Sequence, residues 1–139
     1  MSTDRITLTV PARPEYAKTV RMTASALVSR TGMSYDEVDD VRVAAEEAFV
    51  YAVDHCNEVG SVALDFDLSD ETLVVRVSLG DASRVTDEEV ERRAAYATFI
   101  LQSVCDRFEL SSDEQGPHLT LVKNLPATLD VAGPEDADS

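Results

Sequence analysis

The side chains best placed to do chemistry gather on one predicted helix, within Asp39–Cys56, DDVRVAAEEAFVYAVDHC. At about 100° per residue, Val38, Val41, Ala45, Ala48, Phe49, Ala52 and Cys56 share one face, and Asp40, Glu47, Tyr51 and Asp54 share the opposite one. That second face is either functional or simply solvated. Glu47 is one of three carboxylates on it, with Asp40 and Asp54. Tyr51, one turn later, is a neutral phenol with a pKa near 10, a poor ligand for a hard cation. His55 and His118 have no paired ligand or nucleophile nearby in sequence and read as surface or satisfied histidines. Cys56 and Cys105 lack metal-ligand spacing. No Ser–His–Asp, Cys–His or metal site is indicated.

The elements that must position this helix are legible in the periodicities. Ile6, Leu8 and Val10 alternate with threonines as in a half-buried strand, and Pro11 ends it. Tyr16, Val20, Thr23, Ala24 and Leu27 then form the stripe of a first helix, with Lys18, Arg21 and Ser25 outward and Gly32 as C-cap. Ser34 and Glu37 are spaced as a capping box that opens the second helix. Val62–Leu68 and Leu73–Leu79 alternate around the turn Ser69-Asp70-Glu71 and predict a hairpin. Thr86 and Glu89 form a second capping box, and Val90, Ala94, Ala97, Leu101 and Val104 carry a third helix to near Asp106. Strands at Phe108–Ser111 and Leu119–Lys123 follow, joined by the acidic turn Ser112–Pro117. The order β-α-α-β-β-α-β-β implies an α/β (α+β) two-layer sandwich, with a mixed, mainly antiparallel sheet and three helices on one face. Residues 1–125 form one domain, and the proline- and acid-containing segment 126–139 reads as a mobile tail.

Charge limits the partners. Twelve Lys+Arg against 27 Asp+Glu give a net charge of -15, a surface that cannot supply the phosphate contacts of direct nucleic-acid binding. A basic protein partner suits it, although acidity also serves solubility. No run of about 18 apolar residues is present, so the expectation is a soluble chain without a membrane span, and two cysteines that make a poor staple set fit a reducing cytoplasm.

Three segments carry a resemblance. VRVAAEEAFVYAVDH resembles I-x-x-A-x-x-E-A-x-x-N-A-x-x-H, ILQSVCDRFEL is similar to L-I-x-x-L-x-D-x-V-x-I, and EQGPHLTLVKNL looks like a closing G-T-x-V-x-L-x-K. In this order they resemble the RsbW-like anti-sigma factors that double as serine-protein kinases, members of the histidine-kinase-like ATPase (GHKL) superfamily, over roughly Ile6 to Leu125. The resemblance implies a Bergerat-type ATPase fold and places Glu47 where active members carry the general base. Tyr51 then stands at the asparagine that holds magnesium, and Asp81 near the aspartate that binds adenine, with Ser83 and Val85 where glycines belong. Ala95-Tyr96-Ala97 replaces the glycine pair beneath the phosphates, and Pro117 and His118 follow Gly116 where a threonine is expected. Four altered motifs in a chain that keeps its core pattern imply a fold retained without an ATP lid, and loss of ATP and magnesium. On the same grounds Arg21, with Lys18 beside it, is the position that contacts a sigma factor. The implied partners are a sigma factor, an anti-anti-sigma (STAS) protein and a second copy of the chain. The expectation is an anti-sigma regulator without kinase activity. The alternatives are an active serine-protein kinase, and another protein- or small-molecule-binding module on the same fold.

Overall fold

The computed structural model describes residues 3–55, 60–79 and 88–126, and the expected order of elements is the order observed. They are β1 (Asp4–Pro11), α1 (Ala17–Val28, entered through a 3-10 turn at Pro14–Tyr16), α2 (Tyr35–Asp54), β2 (Ser61–Leu68), β3 (Thr72–Ser78), α3 (Glu88–Val104), β4 (Arg107–Asp113) and β5 (Gly116–Asn124). Cys56, the break around Asn57, residues 80–87 with Asp81, Ser83, Val85 and the expected start of the third helix at Thr86, and the tail from Ala127 onward lie outside the described residues.

The sheet order is β1-β2-β3-β5-β4. Every pairing among the described residues is antiparallel, which corrects the expectation of a mixed sheet. The reason is the crossover through α3. It returns the chain in the direction of β3 but one strand place further out, and β5 fills the gap in the opposite sense. Parallel neighbours are thereby avoided.

Register decides which side chains meet the helices. The pairs Ile6↔Phe66, Leu8↔Leu64, Phe66↔Val75, Val75↔Leu121 and Val77↔Leu119 line up the apolar parity of successive strands on one face. Phe66, Leu64, Leu73, Leu119 and the helical residues Phe49 and Leu101 have no exposed surface, each contributing about 1.5–3 kcal/mol of burial. The opposite face is polar: Arg5, Thr7, Asp65, Asp67, Arg76, Glu109 and Ser111 share it by strand parity.

α2 is the middle helix, flanked by α1 and α3 and lying over β2, β3 and β5. Its first turn closes as expected. The Ser34 N–H donates to Glu37 Oε1 at 2.8 Å, and the Glu37 N–H donates to Ser34 Oγ at 3.2 Å. Because it has neighbours on three sides, more of it is buried than a single stripe predicts: Ala44 joins Val41, Ala45, Ala48, Phe49 and Ala52. Small residues there let the flanking helices approach.

Two boundaries move. α1 ends at Val28, and Gly32 instead makes the turn into α2 at a φ of +85°, a conformation glycine tolerates. The closing hairpin is longer and tighter than expected. β4 and β5 run to Asp113 and Gly116, leaving Glu114-Gln115 as the loop. The Gln115 N–H donates to Asp113 Oδ1 at 2.8 Å, and Gly116 takes a φ of +104°. Lys123 then ties the layers together: its ammonium donates to the Val104 carbonyl at 2.9 Å and lies 3.5 Å from Asp40 Oδ2. It neutralises the negative end of α3 and anchors α2 to the last strand.

Candidate functional site

Glu47 and Tyr51 are neighbours on α2, but the structure separates their environments. Tyr51 belongs to the core, with 9% of its surface exposed, and its ring stacks on His55 with centroids 4.2 Å apart and planes 15° from parallel. His55 Nδ1 meets the Tyr51 carbonyl oxygen at 2.8 Å. Burial raises the Tyr51 hydroxyl pKa, holding it as a neutral phenol. The expectation of Tyr51 on a polar face is therefore corrected. An apolar ring body next to Ala48 and Ala52 is better covered than solvated.

Glu47 remains half-buried at the edge of a groove between α2 and α3. This open groove of about 560 Å3 is lined by Glu47, Val50, Glu89, Arg92, Arg93 and Tyr96. Burial first, and then the charge of neighbouring Glu46, raises the Glu47 pKa. A proton is thus held more readily than on a solvated glutamate. Among the described residues no cation lies within ion-pair distance of this carboxylate.

Beside the groove sits a clamp that the sequence reading missed. The Arg93 Nε and Nη2 donate to Asp54 Oδ2 and Oδ1 at 3.0 and 3.1 Å, and Nη1 donates to Glu89 Oε2 at 3.1 Å. A bidentate fork thereby joins the last turn of α2 to the first turns of α3. Its signal was the placement of Asp54 on the polar face of α2; its partner, 39 residues away, has no local signature.

The positions assigned to nucleotide binding are not assembled as a nucleotide cradle. Ala95 and Ala97 lie inside an unbroken helix, Ala95 exposed and Ala97 buried. Their N–H groups are used in the i→i−4 ladder and are not presented to phosphate. Gly116 lies at the start of β5, in a small cavity with Ala63, Asp65, Arg76 and His118. Those are residues of the polar sheet face, away from Tyr51 and Glu47. Asp81 lies outside the described residues. The described residues therefore do not fit a magnesium nucleotide at Tyr51: the side chain there is core, and it offers no carbonyl or carboxylate oxygen.

On α1, Lys18 is exposed, as expected, but Arg21 is not. It is half-buried against α2, with Nη1 donating to Glu46 Oε1 at 2.9 Å, because α1 packs along α2 closely enough for the two side chains to meet. Its Nε is buried without a hydrogen-bond acceptor. A partner carboxylate at Arg21 therefore competes with Glu46.

His118, read as surface or satisfied, is satisfied and buried on the polar sheet face. Its Nε2 lies 3.0 Å from Arg76 Nη2 and 2.9 Å from Ser111 Oγ, and its Nδ1 is 3.3 Å from the Gly116 carbonyl oxygen. Arginine only donates, so Nε2 accepts and Nδ1 carries the proton. Asp113 lies 3.8 Å from Nδ1 and is hydrogen-bonded to Arg76 at 2.9 Å. With its lone pair held by Arg76, this histidine is not a free base for Ser111. The register Ser111↔His118 would have revealed the contact had the hairpin turn been read as two residues.

Comparison with known proteins agrees with the arrangement of elements. Residues 10–131 match the model of the histidine kinase-like ATPase domain. The protein named serine-protein kinase RsbW of Listeria innocua is 30% identical over 128 residues, covering 80% of this chain and 82% of that protein. Its namesake in Halalkalibacterium halodurans is 28% identical over 137 residues, covering 88% and 84%, and that of Staphylococcus epidermidis is 27% identical over 140 residues, covering 88% and 87%.

Proposed function

Because the chain belongs to the histidine kinase-like ATPase domain family and is RsbW-like, we propose that it is an anti-sigma regulator that works without nucleotide. It binds and sequesters an RNA polymerase sigma factor in the cytoplasm, and an anti-anti-sigma protein releases the factor by competition. The observation that carries this reading is Tyr51. Its ring is part of the core at the place where the resemblance puts a magnesium ligand, and α3 runs as continuous helix where it puts a phosphate loop. Such a protein would hold its partner by surface complementarity alone. Arg21 and Lys18 on α1 are the proposed contact, and the acidic surface would speed association with a basic DNA-binding partner. A homodimer and an independent tail from residue 126 belong to the same reading.

Titration calorimetry with Mg-ATP tests it first, with no binding heat expected. A sigma factor should co-purify with the chain and be lost on Arg21→Glu. Micromolar Mg-ATP binding would overturn the nucleotide-free part, and absence of any sigma factor from affinity captures of native lysate would overturn the partner. The second reading, an active serine-protein kinase, draws on the names of the relatives and on Glu47, whose open carboxyl has the raised pKa of a group suited to proton transfer. Phosphate transfer from radiolabelled ATP to an anti-anti-sigma serine, abolished by Glu47→Gln, would decide for it.

A further inference from the structure

We propose that the groove between α2 and α3 is a docking site for an arginine or lysine presented, among apolar neighbours, by a protein partner. Glu47 would serve there as the counter-ion of that residue. The assignment follows from how the charges of the groove are already spent. Arg93 already donates to Asp54 and Glu89, so that cation and those two carboxylates are engaged with one another within the fold. Glu47 and Arg92 remain. Arg92 is exposed on the rim, solvated by water, and gains little from an incoming anion. Glu47 is half-buried and has no cation at ion-pair distance among the described residues. Its desolvation has therefore been incurred without compensation, and an incoming cation recovers it.

The walls suit the stem and head of such a side chain. The lining is mostly apolar, with Val50 on α2 and Tyr96 on α3. Tyr96 is 62% exposed, and Phe99, one turn further along α3, is 64% exposed. An aromatic face beside a carboxylate binds a guanidinium through both its charge and its flat surface, while Phe99 offers area to the partner's apolar neighbours. A net charge of -15 adds a long-range attraction for basic segments and a repulsion for acidic ones. The site is separate from the α1 surface of Arg21 and Lys18 and would serve a basic segment whether or not its owner is a sigma factor.

The test uses 15N-labelled full-length protein and a short amphipathic peptide of leucines and arginines, with a counterpart carrying glutamate for each arginine. Amide shifts of Val50, Arg93 and Tyr96 should move with the arginine peptide and not with the glutamate peptide. Glu47→Gln and Tyr96→Ala should each weaken binding about fivefold or more, roughly 1 kcal/mol. Glu109→Gln removes the same charge from the opposite face of the sheet and should leave affinity within about twofold. Equal weakening by Glu109→Gln would reduce the effect to bulk charge and overturn the site. So would groove shifts induced by the glutamate peptide, or an arginine peptide that leaves the groove amides unmoved.

Discussion

The two faces of the sheet both carry arginine–carboxylate pairs, but they solve different problems. On the helix side, Arg93–Asp54 joins residues 39 apart in sequence, and Lys123 reaches both Asp40 and the end of α3. These contacts exist only because helices have packed. On the open face, Arg5 meets Asp67 at 2.7 Å because the two are direct cross-strand partners. Arg76 meets Asp113 and His118 across the strand order β3-β5-β4. Polar groups over the core act as clamps between elements, while those on the exposed face decorate a register that the apolar side has already set. Charge removal should therefore cost more on the helix side.

The largest contrast should come from Tyr51→Asn, which installs an amide where the resemblance expects one. Losing a buried ring stacked on His55 should destabilise the fold by about 2–4 kcal/mol in urea unfolding. A variant as stable as the parent would show that Tyr51 is dispensable packing. Next comes Asp54→Ala, which leaves Arg93 only its contact with Glu89 among these two acids. With Asp54 mostly buried and Arg93 half-exposed, the loss should be about 1–2 kcal/mol, accompanied by faster amide hydrogen exchange at the start of α3. Unchanged exchange there would mean that apolar packing alone holds the helix.

Glu47→Gln should differ from the parent by no more than about 0.5 kcal/mol, and the sign is informative. The raised pKa means that the carboxyl's contribution to stability is fully present below its unfolded value, about 4.3, and is lost as pH rises through the folded value. The glutamine variant should therefore gain on the parent as pH rises from the unfolded value through the raised folded one, read from thermal midpoints. A variant that falls behind with rising pH would reveal an unseen counter-ion.

The smallest effect is expected at Asp67→Asn on the open face. The Arg5 hydrogen bond, ahead of its charge, holds the Asp67 pKa below the usual carboxylate range. That contribution is present above the unfolded value near 3.9 and lost as pH falls through the folded one. The parent should then show a steeper acid limb than the variant below about pH 4, and the variant's deficit, small because the pair is exposed, should be greatest at neutral pH and vanish in acid. A large neutral-pH loss would place this pair among the clamps.

How far the sequence could be read follows the same division. The capping box Ser34/Glu37, the strand parities of Ile6, Leu8, Val62 and Leu64, and the stripe Ala94, Ala97, Leu101 were legible because each depends on residues within a few positions of one another. Tyr51 was placed on the face read as functional or solvated because helical periodicity knows two faces, whereas α2 has neighbours on three sides. Arg21 was read as exposed because Glu46 is 25 residues away. The sheet was expected to be mixed because strand order is invisible to periodicity.

Sequence alone determined the elements, their order, the apolar face of each strand and the acidity of the surface, all of which reside in local pattern or composition. Only the tertiary structure decided that Tyr51 is core while Glu47, one turn before it, opens onto a groove. The physical reason is that burial belongs to the neighbours of a side chain: α1 and α3 close over one part of α2 and leave a gap at another, and no spacing along α2 records where that gap falls.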